Sequence, residues 1–144
     1  MEFVPFVPAH LAALSTAEAE AWLAPLVARP DLAASLAVDG LAWTGIAGGA
    51  VIGCAGITRV WPGRGVAWAL MHALPRPDWL AATRQAARTL DEAHRLGLGR
   101  IDATVARDFA PGHRWARLLG FHPYALLRAY GPDGRDHVGY ERFG

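Results

Sequence analysis

The chain has no lysine: all 14 of its basic residues are arginine, set among 13 acidic ones for a formal net charge of +1. Genomic base composition explains that preference before any binding chemistry does. With both signs scattered along the chain, the charge gives no electrostatic footprint for DNA or RNA, and nucleic acid is not an expected partner. Cysteine is almost as scarce. Cys54 stands alone in an apolar run, which excludes a disulfide framework or a zinc site built on cysteine. No histidine or cation lies close to it in sequence, so it reads as a buried structural thiol rather than a nucleophile. Long apolar runs are missing too, for no stretch approaches the roughly 20 residues that span a bilayer. The N-terminal MEFVPFVPAH lacks a basic start and is broken by Pro5 and Pro8, unlike a signal peptide. A soluble, cytoplasmic protein with no membrane partner is the expectation. His10, His94 and His137 share no ligand spacing, so no metal site is expected either.

What is present is a globular composition, 53% apolar and 19% charged in 144 residues, enough for a single domain over 1–144 with one continuous core. Phe3 to Val7 reads as a short strand, and Pro8 opens a helical turn through AHLAALS. Ser15 or Thr16 caps a helix to about Ala28, with Glu18 and Glu20 in the first turns where the dipole favours them. Pro30 and Asp31 start another short helix, which stops at Gly40. LAWTGIAGG and AVIGCAGITRVW are strand-like, and Gly48-Gly49 between them is a hairpin signal. Pro62 to Gly65 makes a second tight turn before VAWALMHAL, completing an antiparallel meander. The strand from Val51 is apolar nearly throughout, as suits a central strand covered on both faces.

Pro77 begins the longest helix, with Leu80, Thr83, Ala87, Leu90 and His94 on one stripe and Arg84, Arg88, Asp91 and Arg95 on another. Asp91 and Arg95, acid first at i, i+4, form an expected surface pair. Gly97 and Gly99 bracket the helix end, and RIDATVA follows as a strand with Ile101, Ala103 and Val105 inward. Asp108 is the expected N-cap of a short helix. FHPYALLRAY and HVGYERF are the last strands, joined by the turn GPDGRD. The long helix joins two strands by a crossover, which requires parallel pairing at that point. The expected class is therefore α/β (α+β): a mixed sheet of six to seven strands with helices on both faces.

That element order, together with GHRWARLLGFHPY after RIDATVA, resembles the GCN5-related N-acetyltransferase (GNAT) family over nearly the whole chain. In GNAT proteins a helix ending in a Leu-Gly-Phe-like sequence follows the fifth strand and leads into the sixth; RWARLLGF, Arg114 to Phe121, stands in that place. More narrowly, RWARLLGF and the ending RAYGPDGRDHVGYER are similar to small GNAT-like proteins of tailed phages and prophages. The resemblance implies acetyl-CoA as the acyl donor, lying between splayed fourth and fifth strands, Val66 to Leu74 and Arg100 to Ala106. It implies direct attack by a substrate amine on the thioester, the protein supplying position and a route for the amine proton. On this reading Met71, Ala73 and Thr104 line the coenzyme, and Arg76, Arg84 and Arg114 reach its phosphates. His72 relays the amine proton, Tyr124 or Tyr130 protonates the leaving thiolate, and Trp68 and Trp115 wall the cleft. His113 opens the motif helix near the end of the fifth strand.

The chain departs from the family pattern at two places. GNAT enzymes hold the coenzyme pyrophosphate with an Arg/Gln-x-x-Gly-x-Gly/Ala loop, where free N–H groups at a helix start cradle the anion. The corresponding LPRPDWLAATR has no glycine; Pro75 and Pro77 each remove a donor, and Asp78 brings a carboxylate. A proline at a helix start and an acid complementing the dipole explain these residues without any ligand. Second, the family's tyrosine maps to Ala116, and an asparagine often found earlier in that helix maps near Phe109. Two functions are therefore weighed above a third, a stand-alone small-molecule binding module using the gap between the fourth and fifth strands. One is an N-acyltransferase acting on a small-molecule or peptide amine. The other is a non-catalytic phage or prophage accessory protein that binds a host or virion protein. A homodimer is compatible with both.

Overall fold

The computed structural model describes residues 1–14, 29–37 and 40–144. The helix expected from Ser15 or Thr16 to Ala28, with Glu18 and Glu20, lies outside them. Strands β1 (Glu2–Pro5), β2 (Ala42–Ala47), β3 (Ala50–Trp61), β4 (Arg64–Met71), β5 (Arg100–Ala106), β6 (His122–Leu127) and β7 (His137–Phe143) form one sheet, ordered β1-β2-β3-β4-β5-β7-β6. The described helices are α1 (Pro30–Ser35), α2 (Arg76–Arg95) and α3 (Ala110–Leu118), with a 3-10 turn at Pro8–Ala13. Neighbouring strands run antiparallel except β4 and β5, which the α2 crossover makes parallel. The expected mixed sheet with helices on both faces is the observed architecture. No described helix is long and apolar enough to cross a membrane.

The meander follows the turn chemistry, since Gly48, Gly49 and Gly63 all adopt positive φ. Strand β3 is buried from Gly53 to Ile57, as its apolar run demands. Alternation along it separates two packing layers. Cys54 faces Phe6, Leu11, Leu14 and Ala33 from the N-terminal turn and α1, whereas Ala55 packs with Trp43 against Ala82 and Ala86 of α2. A third cluster joins α2 and α3 to the far strands through Leu90, Ala93, Ala116, Ile101 and Tyr140.

Three expectations need correction. The buried residues of α2 are Ala82, Ala86, Thr89, Leu90 and Ala93, so Leu90 alone of the expected Leu80–His94 stripe is fully buried against the sheet. Small side chains let the helix lie close on the sheet, so the alanines take the inner face and Leu80 and Thr83 fall on its flank. Arg95 pairs with Glu92 (2.5 Å) and leaves Asp91 to Arg142 of β7 (3.0 Å), because the cross-element partner competes with the i, i+4 one. Asp108 does not cap α3: the N-cap is Phe109, without a side-chain bond, and the Asp108 carboxylate lies 3.7 Å from Arg135. Smaller shifts occur at β1, which ends at Pro5, and at α2, which begins at Arg76.

Candidate active site

Strands β4 and β5 pair at only three positions: Arg64 with Arg100, Gly65 with Ile101, and Val66 with Asp102. Beyond them β4 stays on β3 as far as Met71, opposite Gly53, and β5 stays on β7 as far as Ala106, opposite His137. The two strands therefore diverge and leave a wedge-shaped gap in mid-sheet. Its closed end is clamped by Asp102, which is nearly buried. Arg64 Nε donates to one carboxylate oxygen (2.7 Å) and Arg100 Nε to the other (3.0 Å). Arg100 also reaches Glu141 (2.7 Å), and both acids hold its guanidinium more firmly protonated than usual, Asp102 most.

The helices converge above the open part. Gly112 seats α3 on β5, since a Cβ there would lie 2.6 Å from Val105 Cγ1. Trp115 reaches from α3 to α2, its indole N–H donating to Thr83 Oγ1 (3.0 Å) while the Thr83 hydroxyl donates to the Trp79 carbonyl (2.8 Å). The indole packs on the same apolar cluster as Met71 and Leu74. Trp115 therefore bridges the two helices on the face where the gap opens.

Several expected site residues do border the gap. Met71 ends β4, His72 follows with its N–H on the Ile52 carbonyl (2.9 Å), and Ala73 is exposed just beyond. Thr104 lies across on β5, half-buried and opposite Gly139. Arg76, seven residues before Thr83, shares the flank of α2 that faces α3, while Arg84 is exposed. Trp68 belongs to the diverging part of β4 but packs edge-on against Phe6 on the opposite face (5.0 Å), its indole N–H buried and without a partner among the described residues.

Other residues are placed elsewhere. Arg114 lies on the flank of α3 away from Trp115 and α2, in a groove shared with β6 and β7, so it does not meet Arg76 or Arg84. Tyr124 sits on β6, with β7 and β5 between it and the gap, its ring 5.2 Å from the Arg100 guanidinium. Tyr130 is exposed beside His137 (5.5 Å). Strand order, invisible along the sequence, takes Tyr124 out of the site. A different tyrosine comes closer. The hydroxyl of Tyr140, a fully buried residue, lies 2.7 Å from His113 Nδ1, and His113 Nε2 lies 2.9 Å from the Arg107 carbonyl. A carbonyl only accepts, so Nε2 carries the hydrogen; in the neutral ring Nδ1 then accepts from Tyr140. One signal was available: His113 sits one helical turn before Ala116, on the same face.

The start of α2 does not form an anion cradle. Pro75 is the N-cap, Pro77 follows in the first turn with Asp78, and the first helical bond runs from Trp79 N–H to the Pro75 carbonyl (2.9 Å). Proline nitrogens and a first-turn carboxylate do not suit a pyrophosphate held by backbone N–H groups. The gap suits an extended ligand; the helix start does not supply the backbone half of a phosphate site.

No family model matches the chain, and neither does any curated protein. Solved structures do. The ribosomal-protein-alanine N-acetyltransferase of Brucella melitensis superposes with a TM-score of 0.66 at 15% identity, covering 100% of both chains. A GNAT-family acetyltransferase from Bacillus anthracis gives 0.65 at 13% identity, over 98% of this chain and 93% of its own. This is the GNAT fold. A third GNAT-fold match, yncA of Salmonella typhimurium, assigned as an acetyltransferase and solved with its cofactor acetyl-CoA, gives 0.64 at 20% identity over 99% and 92%.

Proposed function

We propose that this GNAT-fold protein is an N-acyltransferase that takes acetyl-CoA into the β4–β5 gap and acylates an amine of a small molecule or peptide. The observation that carries the reading is the divergence of two parallel strands after three paired positions, beneath two helices that converge over the opening. Acetyl-CoA supplies an activated acyl group. Met71, Ala73 and Thr104 form the walls that would hold its extended arm. Because the start of α2 lacks a backbone cradle, phosphate contacts fall to the side chains of Arg76 and Arg84. His72, at the open end of β4, accepts the proton of the attacking amine as the amide bond forms and the thioester C–S bond breaks, and CoA leaves as its thiol, taking up that proton. Ala116 has no proton to give, so acid catalysis from that position has no part in this mechanism.

A second reading has its own support. Pro75, Pro77 and Asp78 at the start of α2, with Ala116 on α3, favour a non-catalytic accessory protein of the phage or prophage type, binding a host or virion protein. Thermal denaturation with acetyl-CoA and desulfo-CoA separates the two. At a hundredfold excess over its dissociation constant, a bound coenzyme adds about 2.7 kcal/mol of stability. Absence of any shift at millimolar coenzyme would sink the enzyme reading. Where the shift appears, R76A/R84A is expected to abolish it, and H72A to keep it while losing turnover.

A further inference from the structure

A concavity bordering α3 lies on its other side from the gap. Ala110, His113, Arg114 and Arg117, at i, i+3, i+4 and i+7, overhang Pro123 of β6 and Val138 and Tyr140 of β7 around a groove of about 340 Å3. Its floor offers little polar chemistry, because the Tyr140 hydroxyl is already engaged by His113 and that ring by the Arg107 carbonyl. The rim is different. Arg114 and Arg117 are exposed, and neither meets a carboxylate among the described residues. No acidic residue occurs from Phe109 to Pro132, a stretch that carries Arg114, Arg117 and Arg128 in a molecule whose net charge is only +1. The flank of α3 thus presents two guanidinium groups beside an apolar slot.

We propose that this groove docks an acidic segment of a partner protein, one apolar side chain entering the slot while carboxylates meet Arg114 and Arg117. Guanidinium groups with no internal partner are matched by carboxylates through paired N–H···O bonds. The slot distinguishes this partner from a nucleic acid, whose bases need an exposed aromatic face to stack on. Tyr140 is buried, and Tyr124 alternates to the opposite face of β6 and lies over Gly139. The segment binds by side chains and not by adding a strand, since Pro123 and the register shift before Ala125 interrupt the free edge of β6.

The test is selection of a bead-displayed library of random short peptides against the full-length protein. Enriched peptides are expected to place Asp or Glu around an apolar residue. They should bind R114E/R117E at least about tenfold more weakly than wild type, with R88E on the exposed face of α2 unchanged. Both substituted arginines are exposed and meet no carboxylate among the described residues, and circular dichroism melts verify that the variants remain folded. No enrichment, enrichment of neutral or basic peptides, or undiminished binding to R114E/R117E overturns the proposal. So does binding of a single-stranded oligonucleotide or of phosphatidylserine vesicles that is lost in R114E/R117E without any selected acidic peptide. None of these outcomes depends on coenzyme binding.

Discussion

Thr44 Oγ1, fully buried, lies 2.7 Å from His10 Nδ1 and 3.5 Å from Cys54 Sγ. The Val7 N–H also points to that nitrogen (3.3 Å), so Nδ1 is the acceptor. Thr44 donates its proton there and accepts from the thiol, which keeps Cys54 protonated. Burial pushes the Cys54 thiol up. A thiol whose folded pKa is raised stabilises the fold below the ordinary thiol range of about 8.5 and loses that contribution as pH rises further. Urea midpoints of wild type should therefore fall relative to C54A between neutral and alkaline pH. Iodoacetamide should label Cys54 only after unfolding, and equal labelling of native protein would show the thiol to be accessible. The burial of Cys54 could be read from its apolar neighbours. The pairing of His113 with Tyr140 could not, since only the sheet register brings together residues 27 positions apart.

At the scale of elements, the stretch PGHRWARLLGF shows what sequence can and cannot specify. Its stop was plain. Gly120, at φ 86°, closes α3 by placing its own N–H on the Arg117 carbonyl (3.0 Å) and the Phe121 N–H on that of Ala116 (3.0 Å). Gly97 ends α2 in the same way. The start was misread, because Asp108 has a rival partner in Arg135, which the chain brings back only after α3 and β6. The inner stripe of α2 was misread for a related cause: hydrophobicity favoured Leu80, whereas close approach to Trp43 and Ala55 favoured alanine. Gly112 and Gly120 should respond differently to alanine. G120A strains a left-handed residue and costs about 1 kcal/mol. G112A forces a methyl group against Val105 and Phe109 and costs about 2 kcal/mol, while also displacing Trp115 from Thr83. Urea titrations rank the two, and tryptophan emission reports the second effect; a silent G112A would mean that α3 is seated elsewhere.

For the whole molecule, the sheet is two half-sheets, β1–β4 and β5-β7-β6, joined at three residue pairs and the Asp102 clamp. D102A removes the buried carboxylate and leaves two arginines that are about a third exposed. Full loss of a buried pair would cost about 3–5 kcal/mol, and solvent at the arginines lowers that to about 2 kcal/mol. The measurement is the urea midpoint of D102A, and an unchanged midpoint would remove the clamp from the account of stability. The crossover helix made the parallel junction legible in the sequence. Nothing in VAWALMHAL or RIDATVA shows where the strands part; that expectation came from the family resemblance alone. The parting has a consequence for selectivity. Past Val66 and Asp102, the facing edges of β4 and β5 present rows of peptide N–H and C=O groups that have no partner on the opposite strand. A hydrocarbon chain pressed between them would leave each buried group unsatisfied, at about 1–3 kcal/mol apiece. The opening therefore discriminates by hydrogen-bonding grammar as well as by width, and favours a guest that carries its own amides at about the 3.3 Å repeat of a strand.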